Sequence, residues 1–432
     1  MGIDKAMDVL RKYPLCDHCL GRLFARLGFG LSNEERGRAI KDYLLMSIHE
    51  KIMSEGLNDE LLSDLKALAL SGHEPSMLLL KNMGVDVSPT PCYICGSSIF
   101  NRLDEWSRNI ANALSSLRAE FKSFRLGTRV PNDMLRRELE ITTEFGITSA
   151  ESIKRELNRE LGKRVSSLLG IPFSREEPDV EVVLDTTTGT ITTQLMPLYL
   201  LTRYRRAYRL IGRGSVKWPI NETLSIYGAQ SVVIHSGGGE AGNVRVLGNG
   251  RPMIIQVIGP GRRPSIGEVS KALGSINYGI SLNVLSYVRS SMVRKVKAES
   301  RNYVITYRVL AIANGRVTDD ALKSLHDYFR NRQVTQRLRL GGRVKKRVSM
   351  VYELDSRVID GRLLELVIRC QGNLNIRGFV HGYFGDVEPS LSGVLALEVK
   401  PVEIDILNIS DSITYDTFNP VSTGCWALNG TM

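Results

Sequence analysis

Long apolar runs are missing from this chain. Runs such as Met77–Leu80 and Val394–Leu397 fall far short of the roughly 20 residues that a membrane-spanning helix needs, which excludes a bundle of such helices. The opening MGIDKAMDVLRKYPLC carries charges where a secretory leader needs an apolar centre, so a cytoplasmic protein is expected. No internal repeat or low-complexity segment stands out. The glycine-rich run near Gly237 has neither the Lys-Ser/Thr of a phosphate loop nor the spacing of a dinucleotide fingerprint, which argues against both nucleotide-binding motifs. Cysteine is scarce, with six in 432 residues, and the reducing compartment expected of this chain argues against a disulfide framework.

Acids are absent from two long stretches. Tyr328–Tyr352 holds Arg330, Arg332, Arg337, Arg339, Arg343, Lys345, Lys346 and Arg347 and no carboxylate. Thr186–Asn221 holds Arg203, Arg205, Arg206, Arg209, Arg213 and Lys217, again with no acid. In RYRRAYR, aromatics alternate with arginines, so stacking and phosphate contact are both available. One such run reads as a solvated charged face. Two of them, in a chain with net charge +11, point to a surface that follows a polyanionic backbone.

Four of the six cysteines form two CxxC pairs, Cys16 with Cys19 and Cys92 with Cys95. A two-residue gap lets both thiolates of a pair face one ion, and two pairs complete a tetrahedral zinc site. Such a site leaves no ligand position open, so its role is folding rather than catalysis. Cys370 lies in a strand-like run and reads as a small buried hydrophobe.

The periodicity predicts helices before residue 100, among them one opening at Ser32, and then Asp104–Leu117, Asp133–Phe145 and Ser149–Leu169 around a strand near Phe124. After the break GIPFSREEP (170–178) the chain turns strand-rich. Strands are expected at Val180–Leu184, Ile191–Met196, Val232–His235, Met253–Ile258, Tyr303–Ala313, Val348–Leu354, Leu363–Cys370, Leu374–His381 and Leu395–Leu407, with helices at Ile266–Ile276 and Thr318–Arg330. An α+β chain is implied: an N-terminal α/β module, 1–172, a mainly antiparallel sheet flanked by helices, 173–410, and a loosely held C-terminal tail, 411–432.

Motifs in order along nearly the whole chain carry a resemblance. They are CDHCLGRLFARLGFGLSNEERGRAIK (Cys16–Lys41), CYICGSSIFNRLDEW (Cys92–Trp106), PDVEVVLD (Pro178–Asp185), VRVLGNGRP (Val244–Pro252), VTQRLRLGGRVKKR (Val334–Arg347) and ELVIRCQGNLNIRGF (Glu365–Phe379). The chain resembles the THUMP-containing tRNA pseudouridine synthases of archaea and eukaryotes, which act on T-loop uridines. The resemblance implies a THUMP-type RNA-binding module bearing structural zinc and no organic cofactor. It also implies a pseudouridine-synthase domain starting near Pro178, and tRNA, gripped at the T-arm or elbow, as the partner. In the family the loop reads GREDVDVRxLGNGRP, and its first Asp is the nucleophile. Here that position is Ala241, the family Arg is Gly239, the second Asp is Asn243, and only Glu240 remains of the acidic cluster. The family's base-stacking Tyr matches Tyr307. Its cation matches Arg377, preceded by the apolar Ile376 and by Asn375 in place of an aromatic. A late apolar wall matches Ile406 or Leu407.

Alanine has no nucleophilic atom, and covalent catalysis needs one. A tRNA-binding member of the family with impaired turnover is therefore expected. The alternative is an active synthase using a displaced acid such as Glu240. In extended backbone that shift of one residue turns the side chain to the opposite face, unless the surrounding glycines reset the register.

Overall fold

A computed structural model describes residues 4–209, 218–274, 279–340 and 343–418. It divides into two compact units, Met1–Leu195 and Met196–Met432.

The first unit opens with helices Lys5–Lys12, Asp17–Leu23, Asn33–Glu55, Asp59–Leu70 and Glu74–Asn82. The long Asn33–Glu55 helix begins where the sequence predicts. Ser32 accepts from the Glu35 N–H at 3.2 Å, and the Ser32 N–H donates to the Glu35 carboxylate at 2.7 Å, which satisfies two otherwise orphaned donors. Beyond the helix Leu103–Ser115 come three strands, β1 (Phe124–Arg129), β2 (Val180–Asp185) and β3 (Ile191–Leu195), in the order β1-β2-β3. β1 and β2 run parallel, and the helix Ile153–Leu169 packs against β1. That pairing moves the boundary expected at 172/173. The segment from Pro178 closes the first unit instead of opening the second, because Phe124–Arg129 needs β2 as its partner.

The second unit is built on one large sheet. Its strands are β4 (Leu198–Arg206), β5 (Ser231–Ser236), β6 (Val244–Ile258), β7 (Ile280–Val288), β8 (Val304–Ala313), β9 (Arg332–Leu340), β10 (Arg343–Asp360), β11 (Leu363–Gln371), β12 (Val387–Glu388), β13 (Val399–Ser410) and β14 (Thr417–Phe418). The order is β12-β9-β10-β11-β8-β13-β6-β4-β7-β14, with β5 also on β6. All pairs are antiparallel except β13 with β6. The motif LGNGRP lies inside β6, where Gly248 and Gly250 have φ of +57° and +75°. A Cβ on Gly248 would sit 2.1 Å from the Leu407 carbonyl oxygen, and one on Gly250 2.6 Å from that of Tyr204. Only glycine fits where the backbone turns and approaches its neighbours this closely.

Two expectations change here. Leu374–His381 is not a strand: Ile376–His381 is helical, capped by the Asn375 side chain, which accepts from the Gly378 N–H at 3.2 Å, and closed by Gly382 at φ +85°. Nor is the start of the expected tail loose. Asp411 pairs with Arg203, Ile413 is buried, and Thr417–Phe418 pairs with β7. The rest of the tail, 419–432, lies outside the described residues.

Candidate functional site

The segment that leads into β6 forms one rim of a cavity of about 280 Å³. The opposite rim is the turn from Gly372 into the Ile376–His381 helix, with Tyr307 of β8 and Ile404 of β13 between them. Glu240, Ala241, Tyr307, Ile376 and Arg377, far apart in sequence, therefore line one space. Ile406 is fully buried in register with Tyr307, Leu407 lies at a bulge, and Ile404 reaches the cavity.

Electrostatically the rim is a closed circuit. One Glu240 oxygen accepts from the Arg251 Nε and the other from the Tyr204 hydroxyl. Arg251 also donates to the Gly237 carbonyl at 2.7 Å. The Glu240 and Arg251 side chains are each only 5% exposed. Burial, and then Glu240, push the Tyr204 phenol well above its usual range. Burial works against the Arg251 guanidinium, but Glu240 more than offsets it and raises the group. Burial likewise raises Tyr307, so all three groups hold their protons at neutral pH. Arg377 donates to the Asn243 side-chain oxygen at 2.7 Å. Ala241 offers only backbone: its carbonyl accepts from Arg206 at 2.8 Å and from the Val244 N–H at 3.0 Å. The cavity can thus receive a flat polar group between a phenol and a guanidinium. Sequence reasoning had Arg251 in hand, as the Arg of GNGRP, but had no signal for its partner or for Tyr204.

The strand β4 arginines do not form an open stripe. Arg203 pairs with Asp411 and Arg206 holds the Ala241 and Val244 carbonyls. Arg209, together with Arg245 and Arg308, converges on Asp405, whose side chain is fully buried. Burial pushes the Asp405 carboxyl up, yet the hydrogen bond from Arg245 and the charge of Arg209 prevail and hold it below its usual range. Of Arg203, Arg205, Arg206 and Arg209, only Arg205 is exposed. On the β9–β10 hairpin, Lys345 and Lys346 are exposed, Arg337 reaches the Gly385 carbonyl at 2.8 Å, and Arg347 is half-buried beside Asn373. The side chains of Arg339 and Arg343 lie outside the described residues.

In the first unit the sulfurs of Cys16, Cys19, Cys92 and Cys95 all lie within 4.8 Å of one another. Cys16 and Cys95 are 3.7 Å apart, close to the roughly 3.8 Å between corners of a tetrahedron with metal–sulfur bonds of about 2.3 Å. Arg22, wholly buried, stands beside them, its Nε paired with Glu138 at 3.2 Å and its charge also felt by Cys19. A buried cation of this kind suits a cluster of thiolates. The four cysteines fit a metal ion.

Sequence profiles give the lineage. Residues 202–410 match the profile described as Pus10, C-terminal, and residues 106–185 match the archaeal Pus10 THUMP domain. A protein named tRNA pseudouridine synthase Pus10 from Vulcanisaeta distributa is 65% identical over 95% of this chain and 100% of its own. The chain belongs to this family. A Pus10 relative from Caldivirga maquilingensis is 40% identical over 94% of this chain and 99% of its own, and one from Ignisphaera aggregans 33% identical over 95% and 99%. Membership of the Pus10 family identifies the first unit as bearing the THUMP domain and the second as the synthase-type domain. Among the described residues no helix is long and apolar enough to cross a membrane.

Proposed function

We propose that this chain binds tRNA at the T-arm and that its turnover of uridine to pseudouridine is impaired. The observation that carries the reading is the pairing of Ala241 with an engaged Glu240. The position matched to the family nucleophile has no side-chain heteroatom. Both oxygens of the neighbouring acid are occupied by Arg251 and Tyr204. Freeing that carboxylate would leave a buried arginine unpaired, at a cost of about 3–5 kcal/mol. The tyrosine and guanidinium of the cavity remain suited to receive a base taken out of its stack. The four cysteines would hold zinc as a structural ion. A tRNA partner and cysteines that stay reduced would both suit a cytoplasmic location.

Tritium release from uridine labelled at carbon 5 in a T-arm transcript tests the reading. The natural protein is expected to release nothing above background while binding the transcript. Ala241→Asp is expected to raise release by about 10³-fold or more, the scale on which loss of a nucleophile acts. Ala241 is exposed, so the new carboxylate has room. Release by the natural protein that disappears in Glu240→Gln, with binding intact, would establish the alternative, an active synthase using the displaced acid.

A further inference from the structure

The helix that carries Arg377 ends in an unusual corner. Gly382, Tyr383, Phe384 and Gly385 all have positive φ, at 85°, 43°, 54° and 91°. Glycine adopts this backbone freely, but tyrosine and phenylalanine rarely do. The corner is nevertheless held firmly. The Val387 and Gly385 N–H groups both donate to the Gly382 carbonyl at 3.1 Å, and Arg337 donates to the Gly385 carbonyl at 2.8 Å and, through its backbone, to Asp386 at 2.7 Å. The Tyr383 ring lies so close to Gly378 that a Cβ there would be 2.9 Å from it. The product of this strain is Phe384 standing 101% exposed, with the His381 ring near-perpendicular beside it, ring centroids 5.7 Å apart.

A fully exposed phenylalanine held in a disfavoured backbone gains nothing from burial, and strain of this kind collects at working positions. Its surroundings indicate the ligand. Arg337 is in register with Lys346 across β9 and β10, and Lys345 and Lys346 are exposed. Asp386, Glu388 and Glu398 are acids nearby, Glu388 lying 3.5 Å from Arg337 and Glu398 3.8 Å from the His381 ring. The helix linking the corner to Arg377 has six residues, roughly 9 Å of axis, a span of a few nucleotides. An aromatic face next to cations is the arrangement that takes an unpaired base while its phosphates meet the charges.

We infer that Phe384 is a stacking platform for an unpaired base of the bound RNA, a short distance from the cavity nucleotide, with Arg337 and Lys346 on its phosphates. The inference rests on the reading that the chain binds tRNA. Phe384→Ala is expected to weaken binding of a tRNA transcript about tenfold in filter retention, and Phe384→Leu similarly, since apolar bulk without a ring cannot stack. Phe384→Trp is expected to bind within about twofold of the natural protein and to lose tryptophan emission on adding RNA, relative to the natural protein's own response. Phe384→Gly should raise the thermal midpoint while weakening binding, which separates strain held for use from a folding role. If the natural protein binds tRNA but Phe384→Ala and Phe384→Leu bind equally well and the Phe384→Trp emission is unmoved, the platform is refuted and an apolar protein partner becomes the better occupant. If the natural protein binds no tRNA, the functional reading fails and the platform with it.

Discussion

Glu240, in the loop that leads into β6, is one half of a buried ion pair. Its carboxylate is nearly sealed from water and meets a guanidinium and a phenol. Glu240→Gln keeps the shape but leaves Arg251 without a counter-charge. A loss of about 3 kcal/mol is expected, measured as the urea midpoint with unchanged slope. Unchanged stability would mean that the pair relaxes toward solvent and that Glu240 is free to act. The same contact could not be read from sequence, since the partner atoms lie on Tyr204 and Arg251, both present in the quoted motifs with no mark to pair them. That Ala241, Tyr307 and Arg377 line one cavity could be foreseen because fixed neighbours such as VRxLGNGRP anchor the count.

Between strands, Asp405 acts as a rivet. Its register opposite Arg245 on the parallel β13–β6 pair, and opposite Arg308 on β8, brings two guanidinium groups to it, with Arg209 as the third. The carboxyl is held below its usual value, so its contribution is present above the unfolded value near 3.8 and is lost as pH falls below that toward the lower folded value. Asp405→Asn is expected to cost about 3 kcal/mol at neutral pH, with the gap closing as the pH is taken below 3.8, followed by thermal unfolding across that range. The acid lies some two hundred positions from Arg209, which is why RYRRAYR read as an RNA-facing run although most of its cations are turned inward. Element identity failed in the same way at Leu374–His381, a short apolar stretch whose period fits strand or helix, and where the cap formed by Asn375 settled the matter.

At the scale of the whole molecule, the exposed lysines of the β9–β10 hairpin belong to the second unit and the four-cysteine cluster to the first. If exposed lysines rather than the β4 arginines meet phosphate, Lys345→Ala and Lys346→Ala should each flatten the salt dependence of tRNA binding by slightly less than one counterion. Arg203→Ala should leave that slope alone and lower the thermal midpoint. A steady slope in the lysine variants would place the phosphates elsewhere. Strong chelators are expected to unfold the first unit selectively, seen as an early calorimetric transition that zinc restores. The cysteine set was legible because spacing alone defines it, whereas the unit boundary was not, since it depends on which strand completes the Phe124–Arg129 sheet.

The two knuckles also set a timetable. Cys16 emerges from the ribosome long before Cys95, so the clasp cannot shut until the helices between them have been made. If the four cysteines hold an ion, a cell starved of it would release a chain whose second unit is sound but whose leading helices are still unfastened, and proteases would reach that end first.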